Sequence, residues 1–119
     1  MERVAPPDDI SPDEFFTRWI ENAVASDESR RRKLADTRAR VLFDLRGEEG
    51  GLYTVQIEAG RVTGTEGGTE DPDLEVQVDV ETWRRLNRGE ISAPEALLRR
   101  KVQLTGDWKL GLKLHLILG

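Results

Sequence analysis

The chain has 119 residues, 37% of them hydrophobic and 34% charged, which is enough for one domain with a real core and a well-solvated surface. Its net charge of −5 does not favour nucleic acid as a partner, and the absence of cysteine excludes disulfides and thiolate chemistry. The polar N-terminus shows no signal peptide, so the expected location is the cytoplasm.

The N-terminal part divides into a tail and a helix. Residues 1–10 hold two prolines and paired acids, which predicts a flexible tail, and residues 11–119 are predicted to form a single domain. Residues 11–14 form a capping box with proline at the first helical position, and Asp27 is placed to cap a second, short helix. The first helix has a wide apolar face made of Phe15, Phe16, Trp19, Ile20, Ala23 and Val24.

Alternating apolar residues predict strands in the middle of the chain. Residues 41–45 and 53–57 alternate apolar with polar side chains, and a glycine-containing turn at residues 47–51 separates them. A second turn at residues 59–60 leads into a short third strand at residues 61–65, which completes a meander. Residues 64–72 hold glycines and several acids and are predicted to form a loop.

The second half is predicted to add two strands and two short helices. Residues 74–80 alternate as a fourth strand, and a helix that begins at or just after Asp79 carries Trp83 and ends at Gly89. A second capping box at residues 92–95 opens another helix, and residues 101–105 form a fifth strand. The residues of that helix predicted to face inward are Ala96, Leu97 and, as a further candidate, Leu98.

The run from residue 106 to residue 118 is the most apolar part of the chain, and its pattern is ambiguous. Alternate positions are apolar, so the periodicity alone favours a strand. The Leu and Lys content, an N-cap at Asp107 and the length of the run favour a helix, although one too short to span a bilayer. A helix would need apolar partners on two sides, such as a sheet together with more core, another subunit or a lipid. Its two stripes would be Leu110, Leu114, Ile117 and Leu118, and Trp108, Leu112 and Leu116.

Residues that commonly carry catalysis are sparse. No nucleophile is paired with a base, no spacing of His or Cys suits a metal, and residues 64–68 lack the lysine and hydroxyl residue of a phosphate loop. We therefore predict no enzyme, no cofactor and no metal site. The acids of residues 66–73 are better interpreted as a solvated loop than as a calcium site. The single histidine, His115, is interpreted as the rim of a packed helix, with a polar contact inside a ligand cavity as the alternative.

One basic cluster occurs in the first half of the chain. Its charges suit contact with anionic lipid or with the phosphates of an acyl-coenzyme A, while the simpler interpretation is a solvated helix end. A transient contact with an anionic membrane surface stays open on this ground. The cluster consists of Arg30, Arg31, Arg32 and Lys33, with Arg38 and Arg40 further along.

The second half resembles the sterol carrier protein (type two) lipid-binding domain. The family shows an Asp, an alternating strand, a short apolar-x-x-Leu helix and a Gly, here Asp73, Val76, Val78, Trp83, Leu86 and Gly89. An apolar residue, a proline-containing cap, an alanine with two large apolar residues and a Lys-apolar-x-apolar-x-Gly run follow, here Ile91, Pro94, Ala96, Leu97, Leu98, Lys101, Val102, Leu104 and Gly106. A polar cap and a Lys-Leu pair end the series at Asp107, Lys113 and Leu114.

The fit is looser in the first half, where it rests on the amphipathic first helix and on the strands that hold Phe43 and Tyr53. Three residues depart from the family pattern in the second half, and the first is the cap proline, Pro94, which is displaced by one position. Arg100 stands where a small residue is common, and His115 stands where Gln is common. The resemblance nevertheless extends over nearly the whole chain from about Ser11.

The resemblance implies an α+β fold with a five-stranded, mainly antiparallel sheet, helices covering one face and an apolar tunnel between them. It makes the C-terminal run a helix that lines the tunnel. It implies a non-catalytic carrier of a fatty acid, acyl-coenzyme A, sterol or phospholipid. The alternative is an interaction module whose apolar groove supports assembly with another protein, and a homodimer also stays open. The residues predicted to contact the lipid are Trp108, Leu110, Leu112, Leu116, His115, Trp83, Phe43 and Val55.

Overall fold

A five-stranded sheet organises the chain in a computed structural model that describes residues 6–7 and 9–118, without the side chains of residues 115–118. The strands lie in the order β3-β2-β1-β4-β5, and every neighbouring pair is antiparallel except β1 and β4. This confirms the predicted α+β fold with a mainly antiparallel sheet. The strands are β1 Arg38–Arg46, β2 Gly51–Glu58, β3 Arg61–Glu66, β4 Leu74–Asp79 and β5 Val102–Gly106.

The helices begin where the capping residues predict. Four side chains each accept a hydrogen bond from the backbone N–H three residues further on, and they belong to Ser11, Asp27, Asp79 and Ser92. Helix α1 runs without interruption through Pro12–Glu14, a π-helical stretch Phe15–Trp19, and Ile20–Ala25. The later helices are α2 Glu28–Lys33, α3 Val80–Asn87, α4 Ala93–Leu98 and α5 Trp108–Leu118.

Helix α5 resolves the ambiguous C-terminal run, for which the strand interpretation was wrong. The carboxylate of Asp107 accepts a hydrogen bond from the backbone N–H of Lys109 at 3.1 Å, as the predicted N-cap requires. Leu110 and Leu114 are buried, so one predicted stripe faces the sheet. None of the helices within the described part of the chain is both long and apolar enough to cross a membrane.

The sheet is apolar on one face because its register keeps inward-pointing residues side by side. Antiparallel pairing joins β1 to β2 and β4 to β5, while parallel pairing joins β1 to β4. The opposite face carries exposed polar residues such as Gln56 and Gln103. The helices therefore cover one face only. Two buried rows cross the sheet, Val55–Val41–Leu74 and Tyr53–Phe43–Val76.

Helix α1 lies against β3 at very short range. A Cβ atom added to Gly64 would lie 1.7 Å from the carbonyl oxygen of Phe16, so only glycine allows the two backbones to approach this closely. Gly64 belongs to β3, and the prediction that residues 64–66 form a loop was wrong. The glycine marks a close approach of two backbones and not a turn.

Phe16 lies at the centre of an aromatic cluster beneath α1. Its ring centroid is 4.9 Å from that of Phe15, 4.8 Å from that of Phe43 and 4.9 Å from that of Tyr53. The π-helical stretch turns both consecutive phenylalanines inward, with 4% and 1% of their surfaces exposed. The apolar spacing predicts that both residues lie on the inner face, but it does not predict the π-helical stretch.

The ordered domain begins earlier than the predicted boundary at Ser11. Ile10 is buried in the core cluster, and its carbonyl oxygen accepts a hydrogen bond from Nη1 of Arg84 at 3.1 Å. Ile10 and Phe15 hold the two positions of a hydrophobic staple around the N-cap Ser11. Residues 1–5 and 8 of the predicted tail lie outside the described residues.

Tyr53 makes the stability of this core depend on pH. Burial, reinforced by the charges of Asp13 and Glu66, raises the pKa of its phenol above the ordinary value of 10.0. The folded state thus holds the phenolic proton more tightly than the unfolded chain does. The resulting stabilisation is complete below the unfolded pKa and is lost as the pH rises through the folded pKa.

We therefore expect the free energy of unfolding to fall with pH above about 10, and to fall less steeply in Tyr53→Phe, which has no phenol to ionise. Urea denaturation at a series of alkaline pH values measures both slopes. Equal slopes in the two proteins would show that the phenol ionises without penalty in the folded state.

Candidate functional site

An apolar cavity of about 380 Å³ lies between the inner face of the sheet and helices α1, α3, α4 and α5. The sheet supplies Phe43, Val76, Val78, Val102 and Leu104. The helices and the connection between α3 and α4 supply Phe15, Phe16, Trp83, Leu86, Asn87, Gly89, Ile91, Ser92, Ala93, Pro94, Leu97, Gly111, Leu112 and Leu114.

The cavity forms because the helices divide the inner face of the sheet between them. Helix α1 packs on β2 and β3, whereas α4 packs on β5 and α5 packs on both β4 and β5. Strand β5 pairs with β4 so that Val102 lies beside Val78 and Leu104 beside Val76. Val102 and Leu104 are only partly buried, because both side chains line the cavity. These four side chains form the floor of the cavity.

The chemistry of the lining suits hydrocarbon. None of the described residues that form the wall has a charged side chain. The polar side chains in the wall are those of Asn87 and Ser92, and the Ser92 hydroxyl already accepts a hydrogen bond from the backbone N–H of Glu95 at 3.3 Å. An ion transferred into such a site would lose its hydration without gaining a partner. The cavity can hold an apolar chain but not its ionised headgroup.

The structure brings three of the predicted lipid contacts together at this cavity, namely Phe43, Trp83 and Leu112. Val55 and Leu110 lie instead in the packed core, where they are 0% and 7% exposed. The side chains of His115 and Leu116 lie outside the described residues.

Trp108 is not part of the cavity wall and is 59% exposed. It lies one turn before the exposed Leu112 on α5, whereas Leu110 and Leu114 on the other stripe are buried. Leu98, a candidate for the interior, is 86% exposed. Helical spacing alone does not show which side chains of a helix pack against the sheet.

Several wall residues were absent from the predicted contacts. The inward alternation of β4 and β5 contains the signal for Val76, Val78, Val102 and Leu104. No comparable signal exists for the connection between α3 and α4, because its position depends on tertiary packing. Phe15 and Phe16 were predicted as core, and the π-helical stretch also turns them toward the cavity.

Three cations of the basic cluster of the first half are paired with neighbouring acids. Arg32 lies 2.8 Å from Glu28, and Arg38 lies 3.2 Å from Glu58. Arg30 is buried beside Asp27, with its guanidinium 5.9 Å from the centre of the Trp19 ring. Among the described residues, no group of three acids or histidines has the spacing to hold a metal ion.

The sheet, its helical cover and the uncharged cavity define an α+β domain suited to an apolar ligand. The model of the SCP-2 sterol transfer family matches residues 16–119. The chain belongs to the SCP-2 sterol transfer family. Family membership supports a lipid-binding or carrier role. No curated protein sequence matches the chain.

Solved structures share the fold at low sequence identity. Palmitated SCP2L2 from Aedes aegypti matches with a TM-score of 0.72 and 23% identity over 92% of this chain and 95% of that chain. Sterol carrier protein domain 2 of Helicoverpa armigera matches with a TM-score of 0.68 and 21% identity over 88% of each chain.

An enzyme also contains this fold. The inverting sec-alkylsulfatase Pisa1 from Pseudomonas sp. matches with a TM-score of 0.72 and 19% identity over 92% of this chain. The chain spans only 16% of the length of that sulfatase. The likeness therefore concerns one part of the enzyme and shows the fold alone.

Proposed function

We propose that this protein is a non-catalytic carrier that holds one acyl chain of a lipid in the cavity and leaves the headgroup at the mouth. The main support for this proposal is the composition of the cavity wall, in which no described residue is charged. Hydrocarbon gains free energy on entering such a site, whereas a carboxylate or phosphate would lose its hydration there. Recognition of the acyl chain in the cavity is therefore separate from recognition of the headgroup at the mouth.

The size of the cavity supports a single chain. Its volume of about 380 Å³ is near the lower end of the roughly 300–1,000 Å³ typical of ligand pockets. A slender acyl chain suits this space better than two chains or a fused ring system. The palmitated state of the similar Aedes aegypti protein supports the same ligand class. A fatty acid, an acyl-coenzyme A and a lysophospholipid all satisfy this requirement.

Titration with a fluorescent fatty acid tests the proposal, with Trp83 as the intrinsic reporter. Trp83 lines the cavity and is 5% exposed, whereas Trp108 is 59% exposed and lies outside the wall. We expect saturable binding with energy transfer that is largely lost in Trp83→Phe and retained in Trp108→Phe. Palmitate and palmitoyl-lysophosphatidylcholine should displace the probe with similar affinity, because the headgroup stays outside.

Two results would overturn the carrier proposal. One is the absence of saturable binding for every single-chain probe. The other is an energy-transfer signal that follows Trp108, which would locate the ligand on the outer face of α5. Native mass spectrometry of the purified protein provides an independent readout, because a retained lipid would appear as a defined mass increment.

The second candidate function is an assembly module, and one observation favours it. Trp108 and Leu112 lie one turn apart on α5 and are 59% and 54% exposed. An apolar pair of this kind suits a protein interface. Sedimentation equilibrium of the wild type and of Trp108→Ser tests this alternative, which requires a dimer that the substitution weakens.

A further inference from the structure

The end of α4 presents an apolar side chain beside three cationic ones. Leu98 is 86% exposed, more than any other large hydrophobic residue in the described part of the chain. Exposed Arg99, Arg100 and Lys101 follow it directly. We call residues 97–101 the α4 tip. The chain as a whole has a net charge of −5, and this run of three cations, like the run at residues 30–33, is locally basic.

The backbone of the α4 tip is strained at a cationic residue. The N–H of Lys101 donates to the carbonyl oxygen of Ala96 at 2.8 Å, and the N–H of Arg100 donates to that of Leu97 at 3.1 Å. These two bonds form a Schellman motif, whose left-handed position is usually glycine. Here Arg100 occupies it with φ of +60°. A side chain in this region is disfavoured, and strain of this kind concentrates at functional positions.

Two of the three cations of the α4 tip have no acidic partner among the described residues. Arg99 lies 3.7 Å from Glu95 in an exposed pair. Neither Arg100 nor Lys101 has an acidic side chain within ion-pair distance. The cations at residues 30–33, here called the α2 cluster, are followed instead by Leu34, which is fully buried. The α4 tip therefore differs from the α2 cluster in offering an exposed apolar side chain beside its cations.

We propose that the α4 tip docks on an anionic phospholipid surface, with Leu98 inserted below the headgroups and the guanidinium and ammonium groups of Arg99, Arg100 and Lys101 at their phosphates. A lipid surface offers anionic charge directly above an apolar layer, which matches both parts of the tip. A soluble polyanion would satisfy the cations but would leave Leu98 in water.

Docking at this surface would bring the mouth of the cavity to the membrane. Leu97 lines the cavity and is still 37% exposed, so it lies at the mouth, and the exposed Leu98 follows it on the same helix. An acyl chain could then pass between the bilayer and the cavity with little exposure to water. The surface proposal is tested by vesicle binding, whereas the carrier proposal is tested by fatty-acid binding, so each can fail separately.

Co-sedimentation of the full chain with vesicles of phosphatidylcholine, with and without about 30 mol% phosphatidylserine, measures the docking. We expect binding only to the anionic vesicles and a loss of binding at high salt. Arg100→Gly should lower the partition coefficient about fivefold through loss of one cation. The same substitution should raise the midpoint of thermal unfolding by about 4 °C through relief of the left-handed strain. Leu98→Gln should lower the partition coefficient about tenfold.

Matched variants elsewhere on the surface serve as controls. Leu52 is 43% exposed, so Leu52→Gln changes an exposed leucine outside the tip. Lys33→Ser removes a cation from the α2 cluster and is compared with Lys101→Ser. The two control variants, Leu52→Gln and Lys33→Ser, should bind anionic vesicles as the wild type does. Fatty-acid binding should be unchanged in Leu98→Gln and Arg100→Gly.

Several outcomes would overturn the docking proposal. These are equal binding to neutral and anionic vesicles, wild-type partition of Arg100→Gly, and equal losses in Lys33→Ser and Lys101→Ser. Failure of the wild type to bind vesicles, together with a dimer that Leu98→Gln dissociates in sedimentation equilibrium, would assign the tip to a second copy of the chain instead.

Discussion

Replacing Gly64 with alanine is expected to lower the free energy of unfolding by about 3 kcal/mol, at the upper end of the usual cost of overpacking. The new Cβ atom would lie 1.7 Å from the carbonyl oxygen of Phe16, well below the 3.0 Å at which such contacts cease to occur. Helix α1 would have to retreat from β3 and take with it the ring of Phe16, which packs on Phe15, Phe43 and Tyr53. Urea denaturation measures the loss.

Gly68→Ala is the matched control for this experiment. Gly68 follows β3, and a Cβ atom there would meet only the side chain of Leu52, at an ordinary 3.5 Å. We expect a change within about 0.5 kcal/mol, as for most surface substitutions. A similar small change for Gly64→Ala would mean that α1 can move off β3 at little cost.

Replacing Val102 with tryptophan is expected to abolish most of the fatty-acid binding. Val102 is half-buried on the floor of the cavity beside Val78, so a larger ring there would occupy space that the acyl chain needs. We expect the dissociation constant for palmitate to rise at least tenfold, which corresponds to a loss of about 1.4 kcal/mol or more. Displacement of the fluorescent fatty acid measures it.

Gln103→Trp controls for the effect of an added tryptophan on β5. Successive side chains of a strand point to opposite faces, and Gln103 is exposed on the face without helices. Its substitution should leave palmitate affinity unchanged. Circular dichroism and urea denaturation of both variants establish that they remain folded. Wild-type affinity in folded Val102→Trp would place the ligand outside this cavity.

Features that depend on neighbouring residues were predictable from the sequence. The predicted caps at Ser11, Asp27, Ser92 and Asp107 each have the expected hydrogen bond, because a cap is made within three residues. The strand alternation likewise places Val41 and Val55 on the inner face. Features that depend on a distant partner were not predictable. In the sequence Gly64 resembles a turn residue, because no local signal indicates that α1 lies over it. Ile10 resembles part of the tail, because no local signal indicates that its carbonyl oxygen accepts a hydrogen bond from Arg84.

The residues of the candidate site likewise divide into those that a local pattern predicts and those that depend on a distant partner. Phe43, Trp83 and Leu112 follow from inward positions on a strand and two helices. Trp108 lies on the same stripe of α5 as Leu112 but outside the wall, and a periodicity contains no information on how far a cavity extends along a helix. At the C-terminus the alternation of leucines indicated a strand, the residue content and the N-cap indicated a helix, and the family resemblance decided for the helix.

The parallel pairing of β1 with β4 has a consequence for the order of folding. The hairpins that join β1, β2 and β3 close over short loops. The contact between β1 and the start of β4 spans 33 residues, because the backbone N–H of Arg40 donates to the carboxylate of Asp73 at 2.8 Å. Contacts between distant segments form late because loop-closure entropy opposes them. The meander should therefore assemble first and β4 and β5 should dock afterwards. The cavity floor lies on those two strands, so we expect the cavity to be completed in the last stage of folding.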